Sequence, residues 1–361
     1  MKKVFLFALL FSATSIMFGQ SNTSTVLSTG VGNSATVGQT GLSNDSDIIQ
    51  DGQMNPLGGV SNIAIVNQTG IMNDATIRSY GDRNFAEISQ VGVLNSASQT
   101  QGVGWAEDNF AYAEQDGLQN TSTQSQYYDN NTAEVYQDGM YNTATQYQST
   151  GTNAAMGSYA LAMQMGEGHV SDQRQIGQEN EAYVYQAELY NYASQLQTGD
   201  RNVAVIYQND ISLGGFNVAT QNQLGNDNYA EIDQGLYDAA FNVAHQDQMG
   251  DDNYAYAVQE GVLNYSIQEQ FGDRNSSSTS QSGFFNWAGS LQIGDDNVAF
   301  TDQIGDGNVA GTLQLGFSNF AETMQLGDGN VSGTGQFGIG HSSSVMQVGN
   351  GNMATVIQVG P

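Results

Sequence analysis

From Gln248 onward, glutamine returns every eleven residues: Gln248, Gln259, Gln270, Gln281, Gln292, Gln303, Gln314, Gln325, Gln336, Gln347 and Gln358. Each is followed two places later by glycine, as in Gly250, Gly261 and Gly272. Asparagine takes the sixth place, at Asn253, Asn264, Asn275, Asn286, Asn297, Asn308, Asn319, Asn330 and Asn352. Alanine or serine takes the eighth. A repeat this strict is a stack of identical supersecondary pieces, not a globular core around one pocket.

The same pattern, more degenerate, runs back toward the N-terminus. Ser28, Gly30, Asn33 and Ala35 form a first unit, followed by Gln39-Gly41-Asn44 and Gln50-Gly52-Asn55. Phase then breaks, and Gly59, Asn62 and Ala64 begin the next unit. Further small insertions precede Gln115, Gln164, Gln223 and Gln248, and they read as lying between units. Counting from Ser28 to Gln358 gives thirty units in one elongated domain over residues 28–361. Residues 1–19 read as a secretory signal, with Lys2 and Lys3 before an apolar run too short to span a bilayer. Residues 20–27 make a short lead. The chain is therefore expected outside the cell or at its surface.

Glycine at the third place of nearly every unit, costing about 1 kcal/mol each, excludes a helix. Glycine and asparagine around two further positions are turn chemistry. The remaining seven or so residues make one strand. The fold class is thus all-β: a β-solenoid of about fifteen two-stranded coils, with 22 residues per coil. Alternation along the strand puts the sixth, eighth and tenth residues and the next glutamine on one face. That face carries Asn, Ala, Ser, Thr301, Thr312, Thr323, Thr334, Val345 and Val356, and no charge in the regular units. The other face carries Glu231, Glu322, Asp302, Tyr254, Trp287 and Phe300. Burying an unpaired charge is costly, so the small, charge-free face is inside.

An interior of amides closes only if the amides bond each other. Stacked at about 4.8 Å, identical Gln or Asn side chains hydrogen-bond up and down the stack. The glutamines and asparagines named above, from Gln248 to Asn352, are the expected ladder. His169 and His341 stand in asparagine slots and read as substitute rungs. The two residues before each asparagine alternate between apolar pairs, such as Val262-Leu263 and Phe284-Phe285, and acidic pairs, such as Asp251-Asp252 and Asp295-Asp296. One edge of the stack should be acidic and the other oily, with a slip at Asp306-Gly307.

Composition limits function. The net charge of -29 leaves no basic patch for nucleic acid or an anionic membrane. Only 12% of residues are charged, and three His with five Arg beyond the signal do not assemble a catalytic cluster. No enzyme activity, cofactor or metal is expected. The Gly-Asp-Asp-Asn turns lack the alternating acidic spacing of a calcium repeat and read as solvated turns.

The unit from Gln292 through Gly294, Asn297 and Ala299 to Gln303, paired into coils of 22 residues behind a secretory signal, resembles the curlin repeat of bacterial curli subunits. The likeness covers nearly the whole chain after the signal. The resemblance implies a left-handed β-solenoid subunit that is secreted and polymerises into extracellular amyloid fibres, serving adhesion, cell aggregation and the biofilm matrix. It implies self-association head to tail, with other curli-like subunits and secretion factors as partners. The chain departs from the family in its many coils, its in-line insertions and its short lead. A non-polymerising adhesin or surface filament, binding glycans or surfaces through outward aromatics, is the alternative that the same residues permit. Purified chain that stays monomeric excludes the fibre.

Overall fold

The computed structural model describes residues 21–51, 59–103, 106–151, 156–208, 215–235 and 239–360; the expected signal lies outside them. The described residues hold no helix. Two wholly parallel sheets face each other, one of sixteen strand pieces and one of fourteen. Successive strands alternate between them, and each pairs in register with the strand one coil away. In the first sheet Gln270 lies opposite Gln292, and Ala288 opposite Ala310. In the second, Gln281 lies opposite Gln303. This is a two-sided β-solenoid of about fourteen turns with about 22 residues per coil. Strands spaced about 4.8 Å apart make it a rod of about 70 Å.

The unit count changes at one place. Gly59–Val60 is a separate piece, but it pairs with Gly30–Val31 while Asp45–Asp51 pairs with Thr23–Thr29 of the same strand. Asn62 then donates its backbone N–H to Asn33 Oδ1 at 2.9 Å. Gly59 and Asn62 therefore complete the unit that Gln50 begins. Gly52 and Asn55, read above as part of a unit of their own, lie outside the described residues. Counted this way the first sheet has fifteen strands and the second fourteen, so the thirty units become twenty-nine. The other insertions behave alike. Each falls between a glutamine and the asparagine-slot residue that follows it, at Asn109, Ser158, Asn217 and Asn242. They sit inside units, at corners, and not between units. At the N-terminal side, Thr23–Val31 is already a strand, overlapping the segment read as a lead.

The inward face is as its composition demands: Ala299, Ala310 and Ala321 are buried, and so are the glutamines beside them. The core varies along the rod. Near the N-terminal end it is aliphatic, with Ile48, Val66, Ile77 and Ile88 packed together. In the middle, Val184, Ile206 and Ile232 pack with Ala193, Ala219 and Ala244. Toward the C-terminal end the same column becomes hydroxylic, at Thr279, Ser290, Thr301, Thr312, Thr323 and Thr334.

The turns explain the glycine. Gly316 has φ +131°, and a Cβ there would lie 1.9 Å from the Gly338 carbonyl oxygen. Two residues on, Ser318 sits in the left-handed region at φ 54°. That conformation costs an L-residue about 1–2 kcal/mol. Gly307, Gly329 and Gly351 take this second position in other turns, at φ 64–69°. Two substitutions in one turn should thus act oppositely. Gly316→Ala should destabilise the protein by more than about 1 kcal/mol, and Ser318→Gly should stabilise it by about 1 kcal/mol. Denaturant unfolding of the two variants beside the parent measures both; equal shifts of one sign would contradict this account of the turn.

Candidate functional site: the buried amide columns and the turn edges

Fourteen layers of strand hold the glutamines in two columns. In the second sheet the chain of bonds runs Gln234, Gln259, Gln281, Gln303, Gln325 and Gln347. In the first it runs Gln248, Gln270, Gln292, Gln314, Gln336 and Gln358. Every step is Nε2–H donating to Oε1 of the next rung toward the C-terminus, at 2.7–2.9 Å. The other amide proton crosses the sandwich. Gln292 Nε2 donates to Ser276 O at 2.9 Å, and Gln303 Nε2 to the Trp287 carbonyl at 3.0 Å. One side chain therefore ties its own sheet along the rod and the opposite sheet across it. This is why a buried amide is tolerated at each of these positions.

The asparagines line the corners. Asn253, Asn264, Asn275, Asn286, Asn297, Asn308, Asn319, Asn330 and Asn352 each donate a backbone N–H to Oδ1 of the asparagine one coil back, at 2.9–3.2 Å. Most of their Nδ2 groups also reach turn carbonyls, as from Asn253 to Gly272 O at 2.8 Å and from Asn275 to Gly294 O at 2.7 Å, while those of Asn308 and Asn330 donate to the preceding asparagine's Oδ1 at 3.1 Å. His169 fills the same slot. Its backbone N–H donates to Asn142 Oδ1 at 3.0 Å, and its Nδ1 accepts from the Asn191 backbone N–H at 3.3 Å. Nε2 lies 3.1 Å from Met165 O, so the ring is the neutral Nε2–H tautomer. His341 stands in the same slot, its backbone N–H donating to Asn319 Oδ1 at 3.0 Å and its Nε2 3.1 Å from Phe337 O.

Three further sets of residues escaped the sequence reading. The first is a third glutamine column, buried in the first sheet two residues before the first-sheet column: Gln99, Gln124, Gln146, Gln173, Gln195, Gln221, Gln246 and Gln268, joined at 2.8–3.0 Å. Its signal is a Gln-x-Gln at every second unit, as in Gln246-Asp247-Gln248. The second is a column on the acidic turns. Asp251 N donates to Asp273 Oδ1 at 3.0 Å, and Asp273 N to Asp295 Oδ1 at 3.0 Å. These carboxylates cap backbone amides instead of merely facing water. The third is a set of inter-coil ion pairs, Arg83 with Asp108 at 2.9 Å and Arg201 with Asp227 and Arg274 with Asp296 at 2.7 Å. Among the described residues no group of three acidic or histidine side chains is placed to hold a metal ion.

The turn edges are not uniform. The edge that follows the first sheet is acidic from Asp82 to Asp296, then becomes apolar at Phe317 and Ile339. The edge that follows the second sheet is apolar over most of its length, from Leu42 through Met72, Tyr141, Phe216 and Leu263 to Phe285, then carries Asp306, Asp328 and Asn350. The expectation of one acidic and one oily edge thus fails over the last coils, where the two exchange sides. Outward aromatics stack along the rod, Phe85 on Phe110 at 5.1 Å and Tyr229 on Tyr254 at 5.3 Å.

With this geometry in place, the comparison with known families is direct: residues 272–300 match the family model described as Curlin associated repeat. That segment is one coil and part of the next; its Gln281, Gln292, Asn275 and Asn297 belong to columns that continue on either side of it. No curated protein matches the chain. No helix among the described residues is long and apolar enough to cross a membrane.

Burial lowers the His169 pKa to about 4 from an ordinary 6.5. The unfolded chain then binds the extra proton between those values, so the stability His169 contributes is complete above pH 6.5 and falls as pH drops toward 4. His169→Asn should remove this slope of at most about 1.4 kcal/mol per pH unit. Unfolding of parent and variant at matched pH values tests it: the gap in favour of the variant should widen from pH 7 to pH 4, and a constant gap would refute the neutral rung.

Proposed function

We propose that this chain is a secreted structural subunit that polymerises into extracellular amyloid fibres, serving adhesion, cell aggregation and the biofilm matrix. The observation that carries the reading is the direction of the amide columns. The second-sheet column runs unbroken from Gln39 to Gln347 and the first-sheet column from Gln101 to Gln358, and both arrive at the C-terminal end of the rod with bonding capacity left over. Gln358 Nε2 donates to Ser342 O at 2.9 Å and Gln347 Nε2 to Val331 O at 3.0 Å; among the described residues neither has a further acceptor along the axis. An unpaired strand edge is a template for another strand, and stacked amides extend the template into the interior. The match to a curlin-associated repeat and the solenoid fold agree with a structural, non-enzymatic role at the cell surface. The partner is a second copy of the chain, joined by related subunits and secretion factors.

The exposed aromatic ladder supports a second reading, a surface filament that binds glycans without polymerising. Trp287 stacks parallel to Tyr265 at 6.5 Å and is 40% exposed. Polymerisation separates the two. Mature protein incubated at neutral pH should form unbranched fibres under the electron microscope, with a dye-binding cross-β signal. A solution monomeric after days overturns the fibre reading. Val356→Lys places a charge on the inward face of the last strand, Met353–Val359. It should leave the isolated rod folded and cut seeded elongation at least tenfold, since a joint would bury that charge unpaired. Elongation at the parental rate would exclude the C-terminal end from the joint.

A further inference from the structure

The two ends of the rod differ in a way that specifies how they meet. Thr23–Val31 and Met353–Val359 both lie in the first sheet, which has one strand more than the second. At the C-terminal end the outermost strands are Met353–Val359 and, on the other sheet, Ser342–Val348. At the N-terminal end of the described residues they are Thr23–Val31 and Ser34–Leu42. Large apolar side chains stand exposed at both, including Leu27, Val31, Met346, Met353, Ile357 and Val359. The inward columns also change there. Thr301 to Thr334 give way to Val345 and Val356, and the facing end offers Val26 and Val37.

Resting on the fibre reading above, we propose that copies of this chain join end to end with a half-turn about the rod axis, so that each sheet of one copy continues as the opposite sheet of the next. Met353–Val359 pairs with Ser34–Leu42 of the next copy, and Ser342–Val348 pairs with Thr23–Val31. The register follows from pairs inside the rod. Ser28 lies opposite Gln50 and Gln39 opposite Gln68, so each of these two residues occupies the glutamine slot. Gln358 Nε2 therefore meets Gln39 Oε1, and Gln347 Nε2 meets the Ser28 hydroxyl. Val356 packs over Val37 and Val345 over Val26.

A straight stack fails on geometry. It seats Met353–Val359 on Thr23–Val31 and leaves Ser342–Val348 facing Ser34–Leu42 across an empty layer. Two strand spacings, about 9.6 Å, cannot be bridged by a hydrogen bond. The exchange of the turn edges is an independent sign of the same joint. After a half-turn, the apolar pair Phe317 and Ile339 runs on into Leu42, Ile71 and Val93 of the next copy. Asp306, Asp328 and Asn350 run on toward its acidic edge, with Val31 and Val60, among the described residues, standing before Asp82. A straight stack would instead set Asn350 beneath Leu42 and its long apolar column.

Disulfide trapping reads the register, because the chain has no cysteine of its own. Thr355, Thr36 and Thr25 are all exposed and face outward from their strands. The half-turn sets Thr355 beside Thr36 of the next copy; a straight stack sets it beside Thr25. Equal mixtures of Thr355→Cys with Thr36→Cys, and of Thr355→Cys with Thr25→Cys, are grown into fibres under reducing conditions and then oxidised. The first mixture should yield disulfide-linked dimers on a non-reducing gel, at least tenfold more than the second. Met346→Cys with Leu27→Cys, which meet only after a half-turn, repeats the test on the other sheet and covers a substitution that disturbs assembly. Fibres that cross-link in the second mixture, or in none, overturn the half-turn and leave the fibre reading standing. Absence of fibres from the unsubstituted chain overturns the fibre reading and the half-turn with it.

Discussion

A primary amide buried in a protein has two protons and an acceptor oxygen to satisfy, and this fold does so by repetition. Gln292 Oε1 accepts a hydrogen bond from Gln270 Nε2, and its own Nε2 donates one to Gln314 Oε1 and another to Ser276 O on the other sheet. A glutamine in these columns is satisfied through its neighbours one coil away. Leaving one such donor or acceptor unmatched in the interior costs about 1–3 kcal/mol, and three parallel columns multiply the constraint. The in-register stack is therefore the arrangement in which a core so rich in amides can close. Parallel pairing, the small residues at the eighth position and the tight glycine corners all serve it.

Other interactions decorate this frame. The ion pairs of Arg83, Arg201 and Arg274 are exposed, and solvent screening leaves pairs of that kind little net stability. Their effect is to offset repulsion along an acidic edge where carboxylates recur every layer. The stacked tyrosines and phenylalanines cover the outer faces of the sheets and are part of why the outside, and not the core, holds the large side chains. The core uses its aliphatic residues locally, around Ile77 and Ile88 and again around Ile206 and Ile232.

Much of this was legible in the sequence because the repeat is its own alignment. The spacing of Gln248 to Gln358 fixes the strand length, the face and the column together, and the absence of charge from one parity gives the inside. His169 and His341 were readable as rungs for the same reason. The third glutamine column was written equally clearly, as Gln-x-Gln at every second unit, but it is confined to one sheet, and within the strict repeat from Gln248 onward only Gln268 belongs to it. The Asp251–Asp273–Asp295 column was hidden because an acidic turn is consistent with simple hydration; only the backbone amide one coil away gives it a partner. The unit count failed at Gln50 because Gly52 and Asn55 imitate the motif. Sequence spacing alone does not tell an insertion from a degenerate repeat.

The corners show how loosely length is controlled. Consecutive rungs are separated by 22 residues at Gln270 and Gln292, 25 at Gln101 and Gln126, 27 at Gln148 and Gln175, and 29 at Gln39 and Gln68, yet the amides meet at 2.8–3.1 Å in each case. The column keeps its path because the added residues fall in the sequence between Gln and the Asn-slot residue, outside the strands that carry the rungs. The backbone thus separates what must be conserved in spacing from what is free to vary. Foreign peptides grafted at these bends would be carried at irregular heights along both edges of a scaffold whose amide columns keep their spacing.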